Sequence, residues 1–216
     1  MTPRDYALLA QEAYSATPDI GNADSASRAI VRETAAGLVV AFPGTDNLEC
    51  VAADLDAHPI DVVGIGQVHH GFWKAWDAIA VDVLAAIAGR PVTLVGHSLG
   101  AAIAIMAAAA MVVGGDPPAA VYGFEPPRVS TNGSIAAMLA KVPLNLYKNG
   151  NDIVPELPLG WCHAGQIQQI GRPTFSFPNV TDHSISRVIG ALAAAVLPGQ
   201  HRERDHGALT VAARRC

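Results

Sequence analysis

Short apolar runs alternate with longer helical patterns along this 216-residue chain. GLVVAF (37–42), PVTLVG (91–96), AAVYGF (119–124) and LNLYKN (144–149) predict strands, because each is short, apolar and bounded by turn residues. AGQIQQIG (164–171) predicts a weaker fifth strand, and the stretch around Ala29–Arg32 is expected to pair with the first. Between the runs, helical spacing covers roughly 2–15, 71–88, 99–113, 133–141 and 184–197. Thr2 stands where an N-cap belongs, with Pro3 at the first helical position. Gly114-Gly115 and Pro117-Pro118 stop the third helix. Strand–helix alternation predicts an α/β fold: a mostly parallel sheet with helices on both faces. Reactive groups in such sheets sit at the carboxyl ends of the strands.

Composition narrows this picture. Hydrophobic residues make up 50% of the chain and charged residues 15%, which predicts one core-rich domain over 1–216. The charged stretch from about 199 to 216 is expected to be a flexible tail. A net charge of −5 provides no basic footprint, so a nucleic-acid partner is not expected. The most apolar long segment, Leu99–Val113, is too short to span a bilayer. In MTPRDYALLAQEAYSA, Asp5, Gln11 and Glu12 interrupt the place where a signal peptide needs an apolar core. A cytoplasmic protein is therefore expected, with secretion by another route left open. Cys50, Cys162 and Cys216 allow at most one disulfide and have no metal-ligand spacing.

The chemistry concentrates in LVGHSLG (94–100), where a β-type run meets an alanine-rich helical one. A sharp strand-to-helix turn would push the Ser98 side chain out at the sheet edge. Gly96 and Gly100 would remove the Cβ atoms that collide with the neighbouring strand and helix. The helix beginning at Leu99 would point its free N–H groups at the same spot, and they would stabilise a negatively charged oxygen. A serine hydroxyl needs a base to take its proton, and that base needs a carboxylate to hold it.

Five segments in order carry a resemblance: VVAFPGTDN (39–47), VHHGFWKAW (68–76), LVGHSLGAAIA (94–104), GFEPPRV (123–129) and NGNDIVPELP (149–158). Together they resemble the class 3 lipases, the fungal triacylglycerol lipase-like family of α/β-hydrolases. The resemblance implies an α/β-hydrolase fold with a short lid, and a Ser98–His183–Asp152 triad. Asp152 follows a strand in a Gly/Asn-rich loop, and Glu125, at the end of the preceding strand, is the rival acid. Glu125 stands where the family has a small glycine; a carboxylate there would line the pocket or bond the histidine. His183 lies just before the last apolar helix, His163 is the next choice, and His201 and His206 fall in the charged tail. His97 is expected to be a scaffold residue and His69 a structural one. An oxyanion hole would draw on the N–H of Leu99 and, as the resemblance implies, on Thr45. Pro43 replaces the arginine commonly found in that loop.

Leu48, Val51, Ala52 and Leu55 fall at i, i+3, i+4 and i+7, with acidic residues between them, which predicts a short amphipathic helix. In the family the lid lies in this place, so Leu48, Val51 and Leu55 are candidate lid or substrate-binding residues; an ordinary surface helix is the alternative. The expected activity is hydrolysis of lipid or small-molecule carboxylic esters through an acyl-enzyme, with transient contact to a lipid surface. Neither a cofactor nor a metal is expected. A short-chain carboxylesterase, a phospholipase and a non-catalytic interaction module are the alternatives.

Overall fold

In the computed structural model, residues 1–45 and 58–195 are described. The candidate lid residues Leu48, Val51 and Leu55 and the expected tail lie outside them. The elements run α1 (Pro3–Ser15), β1 (Ile20–Gly21), β2 (Arg28–Thr34), β3 (Gly37–Phe42), β4 (Pro59–Val62), β5 (Gly66–His69), α2 (His70–Asp77), α3 (Ala80–Ile87) and β6 (Val92–His97). They continue with α4 (Leu99–Val113), β7 (Ala120–Phe124), α5 (Ser134–Met138), β8 (Leu144–Asn149), β9 (Ile167–Ile170) and α6 (Ile185–Ala195).

Seven strands form one sheet in the order β1-β2-β3-β6-β7-β8-β9. From β3 to β9 the neighbours are parallel, while β1 and β2 are added antiparallel at one edge. Period-two alternation makes each inner strand serve two cores. Leu38, Val40 and Phe42 of β3 pack on one side with α4, α2 and α3; Val39 and Ala41 pack on the other with α1 and α6. The fold is thus the expected α/β-hydrolase arrangement.

α4 is apolar around its whole circumference and buried along nearly its whole length, as such a helix must be. α1 opens with a reciprocal cap: Asp5 N–H donates to the Thr2 hydroxyl, and Thr2 N–H donates to the Asp5 carboxylate at 2.8 Å.

Two expectations need correction. The single helix expected over 71–88 is two, broken at Ala78 and Ile79. Phe72, Trp76, Ile79, Val83 and Ile87 are all buried, so the apolar stripe runs straight through the break. The helix expected over 133–141 is shorter, ending at Met138. The β4–β5 hairpin was not foreseen; its strands PIDV and GQVH carry too little apolar patterning.

Candidate active site

β6 delivers Ser98 at its carboxyl end. The serine adopts φ +57° and ψ −126°, a backbone that residues with a Cβ rarely take, and its side chain is buried. Such strain costs about 1–2 kcal/mol and persists only where the surroundings enforce it. The surroundings here are tight. A Cβ on Gly96 would lie 2.1 Å from the Gly100 carbonyl oxygen, and one on Gly100 would lie 2.1 Å from that of Phe42. Helix and strands close on the turn only because both positions lack side chains. Ser98 N–H donates to Phe124 O at 2.9 Å, which fastens the turn to β7.

β8 and the turn at 181–183 supply a second pair. His183 Nδ1 and Asp152 Oδ2 are 2.6 Å apart, and both side chains are fully buried. An ionised carboxylate only accepts, so His183 Nδ1 is the donor and Nε2 is left as the ring's lone-pair nitrogen. Neither His183 Nε2 nor Ser98 Oγ has a hydrogen-bond partner among the described residues.

His97, next to Ser98, ties the two halves together. Its Nε2 lies 2.8 Å from the His183 carbonyl oxygen and its Nδ1 lies 2.6 Å from the Tyr14 hydroxyl. A carbonyl only accepts, so Nε2 carries the proton and Nδ1 accepts from Tyr14. Burial, and then the neighbouring His183, hold the His97 imidazole well below its usual range, which keeps this neutral tautomer. Tyr14, from α1, was missed by sequence reasoning because one tyrosine on an amphipathic helix carries no motif. Its hydroxyl also abuts the Pro43–Thr45 loop, where a Cβ on Gly44 would sit 2.2 Å from it and 3.0 Å from Ser98 Cβ. Thr45, the last described residue of that loop, has a buried hydroxyl with no partner among the described residues. Leu99 is the first residue of α4, so its N–H belongs to the unpaired group at the helix start.

Asp182 was also missed. Its carboxylate accepts from Asn151 N–H at 2.9 Å, from Thr174 N–H at 3.0 Å, from the Thr174 hydroxyl and from Asn179 Nδ2 at 3.2 Å. Burial pushes this carboxyl up, but the hydrogen bonds from Thr174, Asn151 and Asn179 prevail and bring it down to about 2. One side chain thus binds three loop segments immediately before His183.

The rival residues separate. His163 is remote in chemistry: burial and the nearby Arg128 lower its imidazole to about 4, and Glu156 and Lys148 are its other charged neighbours. His69 is buried and stacked on Phe72 with ring centroids 3.9 Å apart. Glu125, by contrast, joins Asp152 and His183: one polar atom from each lies within 4.8 Å of the others. It is fully buried and also stands at positive φ, +52°.

The chain is similar to known proteins. The family described as lipase (class 3) matches residues 39–161. Secreted mono- and diacylglycerol lipase A of Penicillium camembertii is 30% identical over 172 residues, which is 74% of this chain and 56% of that protein. Secreted mono- and diacylglycerol lipase 1 of Fusarium solani is 35% identical over 106 residues, 45% of this chain and 31% of that protein. The chain therefore spans about half the length, or less, of the curated relatives it matches. Among solved structures, the fold is similar to a mutant form of MDLA from Penicillium cyclopium, with a TM-score of 0.63, 23% identity and coverage of 84% of this chain and 82% of that one. A Rhizomucor miehei lipase propeptide complex gives a TM-score of 0.61 at 23% identity, covering 78% and 67%.

These relatives correct one expectation. They are secreted lipases, which overturns the cytoplasmic location expected from the first residues. Those residues form a capped amphipathic helix packed on the sheet, and a folded helix there carries no information about compartment. Cys162 is disulfide-bonded, a state that belongs to oxidising surroundings. Among the described residues, no helix is long and apolar enough to cross a membrane.

Proposed function

The chain belongs to the class 3 lipase family, and from that premise we propose that it hydrolyses carboxylic esters of lipids, with mono- and diacylglycerols as the substrate class. The observation that carries the proposal is the buried His183–Asp152 pair, 2.6 Å apart and tied through His97 to the strained serine at the end of β6.

Ser98 Oγ attacks the ester carbonyl carbon while His183 Nε2 takes the hydroxyl proton. Asp152 accepts from Nδ1–H and stabilises the imidazolium that forms. The carbonyl electron pair moves onto oxygen, where the N–H of Leu99 and the N–H and hydroxyl of Thr45 receive it. His183 returns its proton to the leaving alcohol oxygen as the C–O bond breaks. Water then repeats the sequence on the acyl-enzyme and releases the acid. The orphaned Thr45 hydroxyl and the unpaired Ser98 and His183 atoms support these roles: the first is free to meet the oxyanion, and the other two are free to pass a proton between them when Ser98 attacks.

A fluorophosphonate probe and a series of p-nitrophenyl esters of rising acyl length, with an anilide as control, test the proposal. Wild type should label and turn over esters but not the anilide, and Ser98→Ala should lose both label and turnover. Labelling that survives Ser98→Ala would refute the assignment of the nucleophile. Monoacylglycerol and diacylglycerol turnover below that of water-soluble short esters would favour a carboxylesterase over a lipase.

A further inference from the structure

We propose that Glu125 works as a neutral carboxylic acid, donating a hydrogen bond from Oε2 to the Asp152 carboxylate and so positioning the charge that faces His183. The inference rests on the triad reading above and extends it by one residue. Glu125 is fully buried, so a charge on its carboxyl would be cut off from bulk solvent. Its Oε1 accepts the Asn149 N–H at 2.6 Å. Its Oε2 is buried with no hydrogen-bond partner among the described residues, and a carboxylate oxygen of Glu125 lies within 4.8 Å of one of Asp152. Asp152 already accepts on both oxygens, from Val154 N–H at 3.0 Å and from His183 Nδ1 at 2.6 Å. Two carboxylates meeting in a dry site without a shared proton would repel, whereas a proton on Oε2 turns the contact into a hydrogen bond.

The charged and titratable groups around Glu125 leave the proton in place. Lys148, on β8, spends its ammonium on Glu156 at 2.6 Å. His97, on the neighbouring strand, is held neutral, and Tyr147 contributes its carbonyl oxygen to the Glu125 N–H at 2.8 Å. Burial, then the hydrogen bond and charge of Asp152, push the Glu125 carboxyl well above its usual range, against the Asn149 N–H and Lys148. Glu125 also stands in the left-handed region, at φ +52°. A side chain there is disfavoured, and strain of this kind gathers at functional sites.

The neutral donor draws charge from Asp152 and limits how strongly Asp152 stabilises the imidazolium. Removing it should make His183 harder to deprotonate. Glu125→Gly suits the backbone and deletes the donor. It should lower kcat/KM for a p-nitrophenyl ester about tenfold and move the acid limb of the pH profile upward by about half a unit. Glu125→Gln keeps an acceptor for Asn149 and a donor for Asp152, so it should restore most of kcat/KM and return the acid limb to its wild-type position. An acid limb that moves downward in Glu125→Gln would mean that Glu125 is an anion, and would overturn the proposal. So would equal behaviour of Glu125→Gln and Glu125→Leu, which would make the residue a filler. Infrared difference spectra at neutral pH give a readout that needs no turnover: wild type should show a protonated-carboxyl band that Glu125→Gln lacks, and absence of the band in wild type defeats the proposal. Absence of any ester turnover sensitive to Ser98→Ala would instead defeat the hydrolase reading and leave the band to decide on Glu125.

Discussion

At the residue scale, the site divides into side chains that announce themselves and side chains that do not. Ser98 is legible because its chemistry demands glycines on both sides of a bend, and that demand leaves a pattern in the sequence. Asp152 and His183 are legible in part, each lying in a loop beyond an apolar run, with Glu125 and His163 as rivals until the fold brings Asp152 and His183 to 2.6 Å. Tyr14 acts through a hydrogen bond to His97, far along the chain, and Asp182 gathers donors from Asn151, Thr174 and Asn179 in irregular loops, where no helical or strand period marks it. Asp152→Asn should leave the chain folded but present His183 with a donor in place of an acceptor, forcing the wrong tautomer. A drop in kcat of about 10⁴ on a soluble ester, with the fluorophosphonate reaction slowed in parallel, is the expected outcome. Tyr14→Phe removes the donor to His97 Nδ1 and leaves a buried lone pair unmatched. A loss of about 1–3 kcal/mol in urea unfolding is expected, together with slower turnover as the tether on His183 loosens.

At the scale of elements, the strands and helices legible in the sequence are those that bury the most. β3, β6 and β7 serve two cores each and are apolar almost throughout, and α4 is apolar all round. The β4–β5 hairpin is half-exposed and patterned too weakly to read. The break between α2 and α3 was hidden for a different reason: periodicity records which positions face the core, and the core-facing stripe continues across it. The join of β6 and α4 is where the elements are most constrained. In Gly96→Ala the new methyl meets backbone atoms that no rotamer change can move. The variant should lose about 3 kcal/mol, seen as a melting temperature roughly 10 °C lower, or fail to accumulate as folded protein. A melting temperature matching wild type would show that helix and strand are not clamped at this point.

At the scale of the whole molecule, two fully buried carboxyls bend the stability of the fold with pH in opposite directions. Asp182 titrates at about 2, below the 3.8 of a free aspartate. Folding favours its ionised form, so its contribution of roughly 2 kcal/mol is complete above pH 3.8 and disappears as the pH falls through about 2. Glu125 is raised well above 4.5, by burial first and by Asp152 second. Folding favours its protonated form, so its contribution is complete below pH 4.5 and is lost as the pH rises toward and through its folded value. The Asp182 contribution gains and the Glu125 contribution loses as pH increases, so these two groups together favour mildly acidic conditions. Urea unfolding at a series of pH values separates them. Asp182→Asn should be weakened most at and above pH 5 and approach wild type near pH 2. Glu125→Gln should match wild type near pH 4 and exceed it at pH 7, because the amide keeps both hydrogen bonds without a proton to hold. A Glu125→Gln midpoint below that of wild type at pH 7 would mean that the site holds an ionised Glu125 instead, and that the two carboxyls pull in the same direction.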